Sequence, residues 1–286
     1  MAQPGDYGLG AGQMALLERR ATRTVYIIGD SDTGKSTLAA ALAAHLARKF
    51  KTALVDLDAG QASIGLPTTF AWGMCGRRGR AKTGGMYFTG TTSPSGYFEI
   101  AVGGAAAMVC EAREHAAKVV VDTCGLACGR AGMQLHHAAI DAVRPDAVVA
   151  LEREGELSPL VEPFVRSGRP LVIRASVPDG VRTRSRAARR SYRRGKFRAY
   201  FARACEVTLS LDEVGVLRPR PDPVGRIASL RNGAGRDVAL AIVRAVDEAA
   251  QTMTVLSPVP KRTAVRAVVL GSMRIARDGR QLARNV

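Results

Sequence analysis

Residues Gly29-Asp30-Ser31-Asp32-Thr33-Gly34-Lys35-Ser36-Thr37 satisfy the pattern G-x-x-x-x-G-K-[ST] in full. The run before it, TVYII (Thr24 to Ile28), is β-branched and apolar and reads as a buried strand. The run after it, LAAALAAHLARKF, has strong helix propensity and contains no Gly or Pro. Strand, glycine loop and helix in that order form an anion cradle. The glycines let the backbone curl so that successive N–H groups point at phosphate oxygens, and the helix start adds its positive end. Gly29, Asp32, Thr33, Gly34, Lys35, Ser36 and Thr37 are therefore expected to hold a nucleoside triphosphate. Lys35 is expected at the β- and γ-phosphates and the Ser36 hydroxyl on Mg²⁺, with Asp56 and Asp122 as further candidate metal residues.

That cradle belongs to α/β folds, and the rest of the sequence agrees. TALVDLD (Thr52 to Asp58), KVVVD (Lys118 to Asp122), DAVVAL (Asp146 to Leu151) and PLVIRAS (Pro170 to Ser176) are short apolar runs separated by helical stretches. Such alternation predicts a mostly parallel sheet covered on both faces, a three-layer arrangement. Near residue 205 the pattern changes. After the Pro-rich RPRPDP (Arg218 to Pro223), short strand-like runs separated by turn residues predict a small β-rich unit, although Val238 to Ala250 also reads as helix. The expected organisation is an N-terminal segment (1–22), a nucleotide-binding domain (23–205) and a small C-terminal domain (206–286).

Two acidic strand ends stand out. Asp56 and Asp58 lie two apart at the end of the second strand, so alternation sends them to one face, opening on the crevice at the carboxyl ends of the strands. A carboxylate there can accept a proton from an attacking hydroxyl, while another holds water on Mg²⁺. The alternative is that one or both cap the following turn. Asp122 ends the VVVD run in the same manner. No Asn-Lys-x-Asp reads guanine, and Asp30 to Asp32 occupy the place where partition-type ATPases carry a second lysine.

Lys and Arg number 42 against 25 Asp and Glu, a net charge of +17, which favours a polyanionic partner. Arg182 to Arg198 contains Arg182, Arg184, Arg186, Arg189, Arg190, Arg193, Arg194, Lys196 and Arg198 and no acid. Tyr192, Phe197 and Phe201 recur at spacings of five and four, which predicts an amphipathic helix, weakened by Gly195, that docks its aromatic side. The alternative is a solvated charge run. Five cysteines without a CxxC pair argue against zinc and for reduced thiols in the cytoplasm. No run of about 20 apolar residues predicts a membrane span.

Together GDSDTGKST, VDLDAGQASIGLPTT, FTGTTSP (Phe88 to Pro94), VVVDTCG (Val119 to Gly125) and the Arg-rich segment ending in Tyr200-Phe201 resemble the polynucleotide 5′-hydroxyl kinase family, the RNA kinases of tRNA splicing, pre-rRNA processing and mRNA 3′-end formation. The resemblance runs from about residue 23 to 202, and VGRIASL, VLSPVP and VVLGSMRI look like that family's C-terminal β domain. It implies ATP as donor with Mg²⁺, and RNA or DNA 5′-OH ends as acceptor. It makes Asp58 the base for the 5′-hydroxyl, and Gln61, Thr91 and Thr123 substrate contacts. It makes Arg182 to Arg198 a lid, in which Arg184 or Arg189 stabilises the moving phosphoryl group and Arg190 and Arg193 track acceptor phosphates. Two departures stand against the family pattern: Asp122 where Asn is usual, and Leu126 where a base-stacking Trp is common. Trp72 or Tyr87 are candidates to replace that aromatic. A non-catalytic ATP-binding module and a kinase of a small metabolite are the alternative readings.

Overall fold

The structure, a computed structural model, describes residues 2–76, 81–259 and 264–282. Pro260 of the VLSPVP segment and the expected boundaries at 1 and 286 lie outside the described residues. After a single 3₁₀ turn (Pro4–Tyr7) and α1 (Ala11–Glu18), the chain forms β1 (Thr24–Gly29), α2 (Lys35–Leu46), β2 (Thr52–Leu57), β3 (Thr69–Cys75), β4 (Ala81–Phe88), α3 (Phe98–His115), β5 (Lys118–Thr123), α4 (Gly129–Val143), β6 (Ala147–Glu152), α5 (Ser158–Ser167) and β7 (Leu171–Ser176). Then come α6 (Arg186–Phe201), β8 (Cys205–Ser210), β9 (Gly215–Leu217), β10 (Arg226–Arg231), β11 (Asp237–Asp247), β12 (Thr252–Ser257) and β13 (Ala267–Arg274).

Among the described residues the first sheet runs β4-β3-β2-β5-β1-β6-β7, with β2, β5, β1, β6 and β7 parallel and β3 and β4 antiparallel. Its central strands are buried on both faces, which is why they read as unbroken apolar runs. Tyr26, Ile28, Val119, Val121, Val148 and Ala150 point into the core shared with α3, α4 and α5. Val25, Ile27, Val120, Val149 and Leu151 point the other way, onto Leu38, Leu42 and Leu46 of α2 and Leu17 of α1. Each such leucine, fully withdrawn from water, contributes about 1.5–3 kcal/mol.

One feature departs from the sequence expectation, and one alternative left open there is decided. The β3–β4 hairpin adds an antiparallel edge beyond β2, where no strand was expected. Residues 238–247, for which helix was the alternative, lie within β11; alternation of Ala239, Ala241 and Val243 with Leu240 and Ile242 feeds two separate apolar clusters. That β11 sits in a second sheet, ordered β8-β12-β11-β10-β13-β9.

The second sheet is not a loose appendage. Phe88 at the end of β4, Phe197 and Phe201 of α6, and Ile227, Leu240, Ile242 and Val269 form one buried cluster. Asp237, on β11, accepts from the Phe88 N–H (2.7 Å), the Ser229 hydroxyl (2.8 Å) and Arg231 Nε (2.8 Å). Among the described residues no helix is long and apolar enough to cross a membrane.

Candidate active site

The loop between β1 and α2 owes its shape to two glycines. Gly34 has φ +90°, a left-handed conformation that side chains disfavour, and a Cβ on Gly29 would lie 2.7 Å from the Leu151 carbonyl oxygen. The Thr33 hydroxyl closes the turn by donating to the Asp30 carbonyl (2.9 Å). Lys35 is buried in the first turn of α2 and also donates to that carbonyl. Burial pulls the Lys35 amine below the usual lysine range, opposed by the charges of Asp122 and Asp58. Ser36 and Thr37 are exposed on the cleft side.

Parallel pairing of β2 with β5 sets Asp56 directly beside Asp122. The two carboxyls have different duties. Asp56 accepts from the N–H groups of Asp58 (2.9 Å), Ser63 (2.5 Å) and Ile64 (3.1 Å) and from the Ser63 hydroxyl (2.8 Å). Its oxygens organise the loop after β2, the turn-capping role, which leaves it poorly placed as a metal ligand. Asp122 is 1 % exposed and its Oδ1 has no hydrogen-bond partner. Burial first, and then the neighbouring Asp56 charge, push its carboxyl up to about 8, while a hydrogen bond from Ser36 pulls the other way. A buried, unpartnered carboxyl oxygen beside a serine hydroxyl fits a divalent cation, so Asp122 and Ser36 suit Mg²⁺.

Asp58 follows β2. Its Oδ1 accepts from Gly60 N–H (2.8 Å) and Gln61 N–H (2.9 Å), and none of its hydrogen bonds among the described residues uses Oδ2. Asp58 therefore caps the turn through one oxygen while the residue lines the cleft.

Across the cleft stands α6. It begins at Arg186, capped by the Ser185 hydroxyl accepting from Ala188 N–H (3.1 Å), so Arg182 and Arg184 lie in the preceding loop. Phe197 and Phe201 are buried, as the aromatic spacing required, and a Cβ on Gly195 would meet nothing within 4 Å, so the glycine faces open space. Tyr192 and Lys196 donate to the Ala62 carbonyl (2.7 and 2.8 Å), fastening α6 to the loop after Asp58. Arg189 donates to Asp32 Oδ2 (2.6 Å), and the Arg184 N–H reaches the same oxygen (3.2 Å). The Arg184 side chain approaches Gln61 Oε1 (3.5 Å).

The fold thus brings Asp32, Gly34, Lys35, Ser36, Thr37, Asp58, Gln61, Thr123, Arg184, Arg189 and Arg193 around one cleft. Gly29, Thr33, Asp56 and Asp122 do not line it. Arg190 is exposed and does not line it. Thr91 lines an adjoining apolar pocket that also touches Asp58. The Thr123 hydroxyl is committed to the Ile27 carbonyl (2.8 Å), so it pins β5 to β1. Neither candidate replacement for the aromatic at 126 is available. Trp72 is 3 % exposed and packs on His115, and Tyr87 lies against the Arg231 guanidinium. Leu126 itself packs on the core while bordering the cleft.

Sequence reasoning missed the N-terminal segment. Asp6 and Tyr7 line the cleft, with the Tyr7 hydroxyl 3.4 Å from where a Gly34 Cβ would sit. Arg153, after β6, donates to the Asp32 carbonyl (3.2 Å). No local pattern marks these residues.

Residues 29–203 match the family model described as mRNA cleavage and polyadenylation factor CLP1 P-loop. A polyribonucleotide 5′-hydroxyl-kinase of Pyrococcus horikoshii is 34 % identical over 216 residues, covering 74 % of this chain and 58 % of that protein. The corresponding Pyrococcus furiosus protein is 35 % identical over 206 residues, covering 70 % and 57 %. Clp1 of Danio rerio, also named a polyribonucleotide 5′-hydroxyl-kinase, is 29 % identical over 196 residues, covering 62 % and 43 %. The chain thus spans less than two thirds of the length of these curated relatives. A solved structure of wild-type Clp1p with Pcf11p overlays with a TM-score of 0.69 at 15 % identity, covering 92 % of this chain and 78 % of that one, a likeness of fold.

Proposed function

The chain belongs to the CLP1 P-loop family, and from that membership and the geometry of the cleft we propose that it is an ATP-dependent polynucleotide 5′-hydroxyl kinase. The observation that supports this reading is that residues suited to both halves of a phosphoryl transfer line one cleft. Lys35, Ser36 and Thr37 suit the donor's phosphates, Asp58 suits the acceptor hydroxyl, and Arg184, Arg189 and Arg193 line the same cleft. The relatives' name, polyribonucleotide 5′-hydroxyl-kinase, supports RNA as acceptor.

In the reaction, the acceptor 5′-oxygen forms a bond to the γ-phosphorus as the bond from that phosphorus to the β–γ bridging oxygen breaks. Asp58 takes the proton from the 5′-hydroxyl. Lys35 supplies positive charge to the β- and γ-phosphates, and backbone N–H groups from Gly29 to Lys35 hold them in place. Arg189 and Arg184 close the opposite side, and Arg193 lies close enough to Asp58 for their charges to interact. Mg²⁺, when bound at Ser36 and Asp122, would neutralise charge on the phosphates. Most of the rate gain in phosphoryl transfer comes from such positioning and charge neutralisation. All five cysteines are unpaired, which supports a cytoplasmic setting.

A transfer assay tests the reading: radiolabelled γ-phosphate from ATP should appear on the 5′ end of an RNA or DNA oligonucleotide bearing 5′-OH. Absence of product on both acceptors, with ATP bound, would instead identify a non-catalytic nucleotide-binding module. Phosphorylation of free nucleosides or mononucleotides in preference to oligonucleotides would identify a small-metabolite kinase.

A further inference from the structure

Thr92 borders three spaces: the nucleotide cleft, the apolar pocket beside Asp58, and a groove running outward along the second sheet. Its position is fixed by the second sheet. The Gly90 carbonyl accepts from the Ser272 N–H (3.0 Å) and the Ser272 hydroxyl (3.2 Å), so the loop carrying Thr91 and Thr92 rests on β13. A Cβ on Gly271 would come within 3.0 Å of that carbonyl oxygen, which shows how close the two backbones lie. Tyr97 lines both the apolar pocket and the groove.

The groove's charge is one-sided. Arg220, Arg226 and Arg274 line it, with Asp222 its single acid among the described residues. Two of these guanidinium groups serve the protein. Arg226 donates to the carbonyls of Pro221 (3.2 Å), Asp222 (3.0 Å) and Ser272 (3.2 Å), and Arg274 is bound to Asp222. Arg220 differs: its Nε is buried and has no hydrogen-bond partner. Leaving a buried donor of a charged group unsatisfied is costly, and a surrounding excess of positive charge raises the cost. A bound anion offsets that excess charge and offers acceptors to the rest of the guanidinium.

We propose that this groove binds the internucleotide phosphates of the acceptor strand beyond the first linkage, with Arg220 donating to one of them. The proposal rests on the kinase reading for the strand's direction. The groove starts on the far side of Thr92 and Tyr97 from Asp58, so it receives the strand after its terminal nucleotide has filled the transfer site. Arg226 and Arg274 add charge without needing to leave their protein partners. The Pro-rich segment Arg218 to Pro223, which in sequence reads only as a boundary, thereby becomes part of the substrate surface.

The test is equilibrium binding of 5′-OH oligoribonucleotides, a dinucleotide and a hexamer, by fluorescence anisotropy without nucleotide and across a salt series. Arg220→Gln should weaken the hexamer by about three- to tenfold, leave the dinucleotide unchanged, and lower the hexamer's salt slope by about 0.7, the value of one single-strand phosphate contact. Equal loss for both lengths, or no loss for either, overturns the groove. If Arg220→Gln does not fold, crosslinking of wild type replaces it. A hexamer with 4-thiouridine at its third position should crosslink within residues 217–226, and crosslinks confined to α6 would overturn the proposal. A wild type that shows this length-dependent binding but transfers no phosphate keeps the groove and removes the kinase reading, so the two fail separately.

Discussion

Arg189 donates to Asp32 Oδ2 across 2.6 Å, joining α6 to the phosphate loop from 157 positions away in sequence. Asp32 sits at φ 56° in that loop and lines the cleft beside the expected phosphates. On the proposed kinase reading, the Asp32 carboxylate competes with the donor's phosphates for the same guanidinium. Replacing Asp32 by Asn should free Arg189 and tighten ATP binding up to about fivefold, the range of a partly exposed ion pair. Arg189→Ala should lower kcat by about 10³-fold with a much smaller change in ATP affinity. Single-turnover transfer and nucleotide-binding titrations check both.

Asp58 combines a turn cap and the proposed base, and the two roles separate by substitution. Asn keeps a carbonyl oxygen to accept from Gly60 and Gln61, so Asp58→Asn should preserve fold and ATP affinity while lowering transfer by about 10²- to 10⁴-fold. Equal rates for the variant and wild type would assign proton removal elsewhere.

His136 of α4 is 1 % exposed, meets the Tyr26 hydroxyl at 3.1 Å through Nδ1, and has no partner at Nε2. Burial first, and the Lys35 charge next, lower its pKa to about 4 from 6.5. The unfolded chain protonates this ring near pH 6.5 and the folded chain only near 4, so the unfolded state binds more protons within that window. The stability this residue contributes is complete above about pH 6.5 and is lost as pH falls towards 4, up to about 3 kcal/mol. Urea midpoints from pH 7 to 4 for wild type and His136→Leu should converge or cross as acid is added, because the variant lacks this term. A constant gap would refute the assignment.

Asp237 fastens the two sheets through Phe88, Ser229 and Arg231. Its side chain is 2 % exposed. Removing it strands a guanidinium and a buried amide, so Asp237→Ala should destabilise by about 3 kcal/mol. Chemical denaturation measures this directly. Because Phe88 leads into the loop bearing Thr91 and Thr92, acceptor KM should rise in the folded fraction.

The strand–loop–helix at residues 24–46 was legible in the sequence, as were the parallel strands and the place of Asp58. Their causes are local: apolar runs buried on two faces, glycines where the backbone turns tightly, and strand ends that meet at one edge of a sheet. The aromatic spacing in α6 was legible for the same reason, since helical period alone puts Phe197 and Phe201 on one side. What tertiary structure decided was the use of side chains whose partners lie far along the chain. Asp56 and Asp122 look alike as strand-ending acids, yet one is consumed by four hydrogen bonds and the other keeps an oxygen unpartnered. Trp72 looked available for stacking, and the unforeseen β3–β4 edge buried it. The N-terminal Tyr7 and the Arg220 groove carry no motif at all. Hydrogen bonds across a hundred residues leave no period or spacing to read, because only the packed chain determines which groups meet.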